Sequence, residues 1–315
     1  MAASDSDRLG AILAAVQRDV GRRGLARLFE AVPKDFAAAC NSLAGEASLG
    51  VITGFWIPTA GLAETDGPLG AVYLARTLGQ LGIRVQVISD PFCHHSLEAG
   101  LAACGRLEST PVTDLGQPIR EGVSHLLALE RVGPSHVPDS VGAESLRRFL
   151  EEVPKSHHNR CHSMRGIDIT DRMLAAERVF EWDRRFGAAV NGPLTLGIGD
   201  GGNEIGMGKL PWSLIRDNVP NGGVIACRVP TDFLIVAGIS NWGAYALAAG
   251  VAVVKGVTPP ADWFDVDLER RILREMVEKG PLVDGVTGLA EASVDGLAFE
   301  QYIQPLVELG RIARG

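Results

Sequence analysis

Residues 197–209 read GIGDGGNEIGMGK, with six glycines set around Asp200, Asn203, Glu204 and Lys209. Glycine tolerates positive φ and lets a backbone approach a ligand closely. Carboxylates inside such a loop are placed to meet a metal, an amine or a proton. The loop is not a Walker A sequence, because no Lys-Ser/Thr follows at the required spacing. Gly197, Gly199 and Gly202 imitate a dinucleotide fingerprint, yet acids at the phosphate position would repel a pyrophosphate. A carboxylate pair here suits a divalent ion with oxygen ligands or a general base. A capped loop with solvated acids is the plainer alternative, and the glycine density weighs against it.

Three further stretches carry chemistry. Residues 53–70, TGFWIPTAGLAETDGPLG, place Glu64, Thr65 and Asp66 just before a helix that Pro68 opens. Helix N-termini expose free N–H groups and favour anions. Thr65 or Asp66 could simply cap that helix, which leaves Glu64 unexplained. Ser240 and Asn241 begin another helix, and capping explains one of them. Arg165, in SMRGID, could grip a carboxylate with both nitrogens, with a surface ion pair to Asp168 as the plainer reading. Cys161, His157, His158 and His162 invite a zinc reading, but Pro154 and Asn159 mark a loop and no second ligand pair matches.

The composition sets limits. Hydrophobic residues make up 46% of the 315, enough for a sizeable core, and charged residues 22%. A net charge of −8 argues against a nucleic-acid partner, which calls for a basic face. No apolar run spans a bilayer, and the start MAASDSDRLG resembles neither a signal nor a transit peptide. Five scattered cysteines without a CxxC pair suit a reducing, cytoplasmic setting. A homo-oligomer is compatible with all of this.

The elements that must position these residues follow from periodicity. Residues 5–44 read as helical, with Pro33 opening a second helix. Strands are expected over 51–57, 84–89, 125–130 and 194–198, with shorter ones over 224–229 and 233–237. Helices are expected over 68–81, 91–103, 144–151, 169–186, 240–254, 268–278 and 299–311. Residues 131–164 form an excursion over the site. The alternation predicts an α/β fold: a doubly wound, mostly parallel sheet with helices on both faces and an N-terminal helical segment. Residues 1–48 would pack on a single α/β domain formed by 49–315.

With these residues in place, the chain resembles the D-glutamate cyclase family, specifically its C-terminal domain. The matches are ETDGPLGA (64–71), GDGGNEIGMGK (199–209), MRG (164–166), AGISNWGAYAL (237–247), ALER (128–131) and VDGVTG (283–288), in the family's order. At Cys161-His162-Ser163 the chain departs from the aromatic and Asn usual in the family. The resemblance implies a lyase that converts D-glutamate, a small anionic amino acid, to 5-oxo-D-proline and water. It implies Asp200 and Glu204 as base or metal ligands, completed by Glu64 and Asp66. Asp200, Glu204 and Asp66 would hold Mn²⁺ or Mg²⁺. Arg165 and Lys209 would meet the substrate carboxylates, and Asn203, Asn241, Thr65, Gly201 and Gly202 would orient it. Two other readings stay open: a metal-dependent enzyme acting on a phosphorylated or nucleotide ligand, and an anion-binding regulatory module without turnover.

Overall fold

A computed structural model describes residues 4–116, 122–180 and 192–315. Its strands are β1 (Ser48–Thr53), β2 (Trp56–Ile57), β3 (Leu62–Ala63), β4 (Arg84–Ser89), β5 (Val112–Asp114), β6 (His125–Leu129), β7 (Leu194–Gly199) and β8 (Phe233–Val236), with a small pair β9 (Ser293–Val294) and β10 (Leu297–Ala298) near the end. Six of them form one parallel sheet in the order β5-β4-β1-β6-β7-β8. Parallel neighbours need crossovers, and the helices Pro68–Leu78 and Pro91–Ala103 supply the first two. After β5 the chain returns to the other side of β1, so the winding reverses between β1 and β6. In such sheets ligands bind beyond the carboxyl ends of the strands at that reversal.

Alternate strand residues face opposite layers. Val51, Val87, Leu127, Leu129 and Ile198 join the core beneath the helices Pro68–Leu78 and Ser240–Val254. Ile52, Ile88, Leu126, Ala128 and Val236 join a second core with Phe149, Trp212 and Ile215. The fold is therefore the doubly wound α/β class expected. The Ser240–Val254 helix is buried over 240–253, which explains its unbroken apolar composition. The helices Asp5–Val16 and Asp35–Ala44 pack against it. Gly70 permits its approach to the Pro68–Leu78 helix, since a Cβ there would lie 3.1 Å from the Ala244 Cβ.

Several elements differ from expectation. The N-terminal helical stretch is three helices, Asp5–Val16, Ala26–Ala31 and Asp35–Ala44. It breaks where Arg22 and Gly24 take positive φ. The strand expected over 51–57 ends at Thr53, because Gly54 turns the chain at φ 107°, and Trp56–Ile57 pairs back with Leu62–Ala63. The helix expected over 169–186 is a 3₁₀ turn at Thr170–Arg172 and a helix at Glu177–Phe180; residues 181–186 lie outside the described residues. Asp168 accepts from the Thr170 N–H and hydroxyl, a local alternative to helix. The strand expected over 224–229 begins instead as the helical turn Gly222–Ile225. A short apolar run does not distinguish the two. The C-terminal helix is split into Phe299–Tyr302 and Gln304–Arg314. Strand β5 and the helix Trp212–Asn218 were not anticipated.

Candidate active site

Beyond the carboxyl ends of β1, β6, β7 and β8 the chain gathers an acidic cluster. Glu130 follows β6 directly and takes φ 44°, a conformation that turns the chain out of the strand. Asp200 follows β7, and Glu64 follows β3. Asp295 occupies the turn between β9 and β10 at φ 54°. A cavity of about 260 Å³ opens among Glu64, Glu130, Asp200, Asp295, Arg23 and Arg165, with Phe55, Ile57 and Met164 as its apolar wall. Glu64 and Asp200 thus face the cavity. Glu130, Asp295 and Arg23 were missed as site residues. ALER pointed at Glu130 only through resemblance, and Asp295 and Arg23 sit in short Gly-flanked turns with no motif of their own.

Asp66 and Asn241 lie behind the cavity and hold two helices together. Asp66 accepts from the backbone N–H of Ser240 (2.9 Å), Asn241 (2.8 Å) and Gly67 (3.0 Å). Asn241 Oδ1 accepts from the N–H of Gly67 (2.9 Å) and Gly70 (2.7 Å). Ser240 donates its hydroxyl to Glu130 at 2.5 Å. Thr65 is buried and donates to the Ser293 carbonyl. These four residues set the frame of the site. Gly67 is required within it: φ is 90°, and a Cβ would meet Thr53 Oγ1 at 2.7 Å and Glu130 Cβ at 2.8 Å.

The glycine-rich loop is folded around its own acid. Glu204 accepts from the N–H of Asp200 (2.9 Å), Gly201 (2.7 Å) and Gly202 (2.7 Å). Gly201 and Gly202 therefore spend their N–H groups on Glu204. Asn203 donates to the His162 carbonyl at 2.8 Å, while its buried Oδ1 has no partner among the described residues. His162 and His157 bond ring to ring at 3.0 Å. Burial pushes the His162 imidazole down to about 4.

The cations divide. Arg165 is exposed at the cavity and donates to the Val286 carbonyl at 3.0 Å, so one face of its guanidinium is available to a carboxylate. Lys209 is not brought to the cavity. It pairs with Asp35 and donates to the Asp232 carbonyl at 2.6 Å, tying the Asp35–Ala44 helix to the start of β8. Its place in the motif reflects the path of the loop. Arg23 enters the cluster from the N-terminal segment, paired with Asp200 and, at 2.9 Å, with Asp295.

Burial weakens the acids. Glu64, Glu130 and Asp200 are all held well above the ordinary carboxylate range by desolvation, reinforced by neighbouring carboxylates. Arg23 pulls Asp200 the other way without cancelling the effect. Asp66 is pushed up to about 7, by burial first and then by Asp295. Burial works against the Arg23 charge, but Asp200, Asp295, Glu130 and Asp66 outweigh it and raise the guanidinium further.

Two trios bring one oxygen each within 4.8 Å of one another: Asp66, Asp200 and Asp295, and Glu130, Asp200 and Glu204. The expected ligands Asp200, Glu204 and Asp66 are divided between them. Oxygen donors suit Mn²⁺ or Mg²⁺. Most of these oxygens are already engaged, however. Those of Asp66 and Glu204 accept backbone N–H groups, and Arg23 holds one oxygen each of Asp200 and Asp295. Asp200 Oδ2 is buried without a partner among the described residues.

Comparison with known proteins bears on this arrangement. Residues 12–310 match the family described as D-glutamate cyclase-like, C-terminal. The chain belongs to this family. It is also similar to human "D-glutamate cyclase, mitochondrial", 29% identical over 97% of this chain and 52% of the human protein. The chain therefore spans about half the length of that relative. The acidic cavity lies within the matched residues. Among the described residues, no helix is long and apolar enough to cross a membrane.

Proposed function

We propose that this chain is a hydro-lyase that closes D-glutamate to 5-oxo-D-proline with release of water. The observation that carries the reading is the cavity itself: buried carboxyl groups of weakened acidity, with Arg165 at the edge. Ring closure needs two protons removed from the substrate nitrogen, one before and one after a nitrogen–carbon bond is made to the γ-carboxyl carbon, and two delivered to the γ-carboxyl oxygen as its bond to carbon breaks and it leaves as water. Carboxyls whose hold on a proton is strengthened by burial serve as both base and acid. Asp200, whose Oδ2 has no partner among the described residues, is assigned as the proton acceptor. Glu64 and Glu130, whose protonated forms burial favours, donate to the γ-carboxyl oxygen as it leaves. Arg165 binds the α-carboxylate. The reaction is intramolecular, so holding the substrate folded supplies much of the rate.

The phosphate reading is disfavoured by the helix starts. The N–H groups that would hold a phosphate at Gly67 and Gly70 are taken by Asn241, and those at Ser240 and Asn241 by Asp66. An anion-binding module would also have little use for four carboxyls around its ligand. The test is incubation with D- and L-glutamate, with and without Mn²⁺ or Mg²⁺, following 5-oxoproline by chiral chromatography. Product from the D isomer supports the proposal. No product from a folded sample under any of these conditions overturns it.

A further inference from the structure

We propose that Arg23 is the resident cation of the acidic cluster, standing where a divalent ion would otherwise sit, so that turnover needs no added metal. Metal-free turnover rests on the cyclase reading; the placement of Arg23 does not. Arg23 lies in the turn Gly21-Arg22-Arg23-Gly24 between two N-terminal helices. That turn is built to present it. Asp19 accepts from the N–H of Arg23 (2.7 Å), Gly24 (2.8 Å) and Leu25 (3.1 Å). Gly24 presses on the body of the protein so closely that a Cβ would lie 1.9 Å from the Asn218 carbonyl oxygen. The guanidinium then bridges Asp200, after β7, and Asp295, in the β9–β10 turn.

Buried carboxylates need compensation, because an unpaired buried charge is costly. Asp200 belongs to both oxygen trios that could receive an ion, and Asp295 to one of them. A divalent cation entering either trio would meet the Arg23 charge beside it, and in the trio with Asp66 and Asp295 it would have to displace the guanidinium. Arg23 also leaves the buried Asp200 Oδ2 without a partner among the described residues, because Oδ1 is the oxygen it holds. Arg23 is thus a positioning residue that orients the proton acceptor.

The experiment compares wild type with Arg23→Gln and Arg23→Ala, each checked by circular dichroism. Mn²⁺ binding is read by electron paramagnetic resonance and turnover by 5-oxoproline formation. The expected results are turnover by chelator-treated wild type and Mn²⁺ affinity at least about tenfold greater in Arg23→Gln, as removal of a nearby positive charge requires. Partial rescue of Arg23→Ala turnover by methylguanidine is also expected, which a merely structural role would not show. Chelator-treated wild type that regains turnover only with Mn²⁺ overturns the proposal, as does equal Mn²⁺ affinity in wild type and a folded Arg23→Gln. Should neither isomer of glutamate yield product, the cyclase reading falls, while the Mn²⁺ comparison still decides the place of Arg23.

Discussion

Asp66 and Asn241 cap each other's helices. The Asp66 carboxylate accepts from N–H groups at the start of Ser240–Val254, and the Asn241 amide oxygen accepts from N–H groups at the start of Pro68–Leu78. Two helices joined in this way hold Glu130 between them, through Ser240 and the close approach of Gly67. Replacing Asn241 with Ala leaves the buried Gly70 N–H without its acceptor and Gly67 with Asp66 alone, and should cost about 1–3 kcal/mol. Asp66→Ala should cost about 1 kcal/mol or more. Because the two residues share partners, urea denaturation of the double variant should depart from additivity by about 0.5 kcal/mol or more. Strict additivity would show that the caps are independent.

Glu204 and Asp200 should separate stability from turnover. Glu204 accepts three backbone N–H bonds, so Glu204→Gln turns an amide NH₂ toward donors and should unfold at lower urea. Asp200→Asn should keep most of its stability and lose 5-oxoproline formation. Comparable loss of stability in both variants would contradict these roles.

Arg165 and Lys209 should differ in KM. Arg165→Ala should raise KM for D-glutamate by about 10-fold or more, the worth of a charge-assisted hydrogen bond, with little change in stability because the residue is exposed. Lys209→Met should leave KM unchanged and weaken the N-terminal packing, seen as a lower Tm. A raised KM for Lys209→Met would place it at the site after all.

Stability should fall as pH rises toward neutrality. Asp66 titrates at about 7 in the folded protein against 3.8 ordinarily. The native state therefore holds a proton that the unfolded chain has released. This contribution is full below about pH 4 and is lost as pH rises through about 7. Glu64, Glu130 and Asp200 are displaced in the same direction. Urea unfolding at about pH 5 and about pH 8 should show a smaller loss in Asp66→Asn than in wild type. An equal loss would remove Asp66 from the titration.

Gly67→Ala should be destabilising by about 1 kcal/mol or more, from positive φ alone. Its Cβ would also strike Glu130, so turnover should fall further than stability accounts for. Retained turnover would mean that Glu130 has freedom to move.

Residue pattern alone determined the strands at 84–89 and 194–198 and the helices at 91–103 and 240–254, which carry their burial in their residue types, but not the short strand at Val112–Asp114 or the helical turn at Gly222–Ile225. Glycine density at 197–209 and the acids at 64–66 located the strand-end loops that meet at the winding reversal, and the unusual motif strings identified the family. Local sequence did not determine which acid faces the cavity. Asp66 and Glu204 read like Glu64 and Asp200, yet their oxygens are spent on N–H groups 174 residues and a few residues away respectively. Only the tertiary structure decides that, because a carboxylate joins the backbone or the cavity according to which donors the folded chain brings within reach. Arg23 shows the same limit. Its turn lies 177 residues from Asp200, and ion pairing across that distance follows from the packing of the N-terminal helices rather than from any pattern around Arg23.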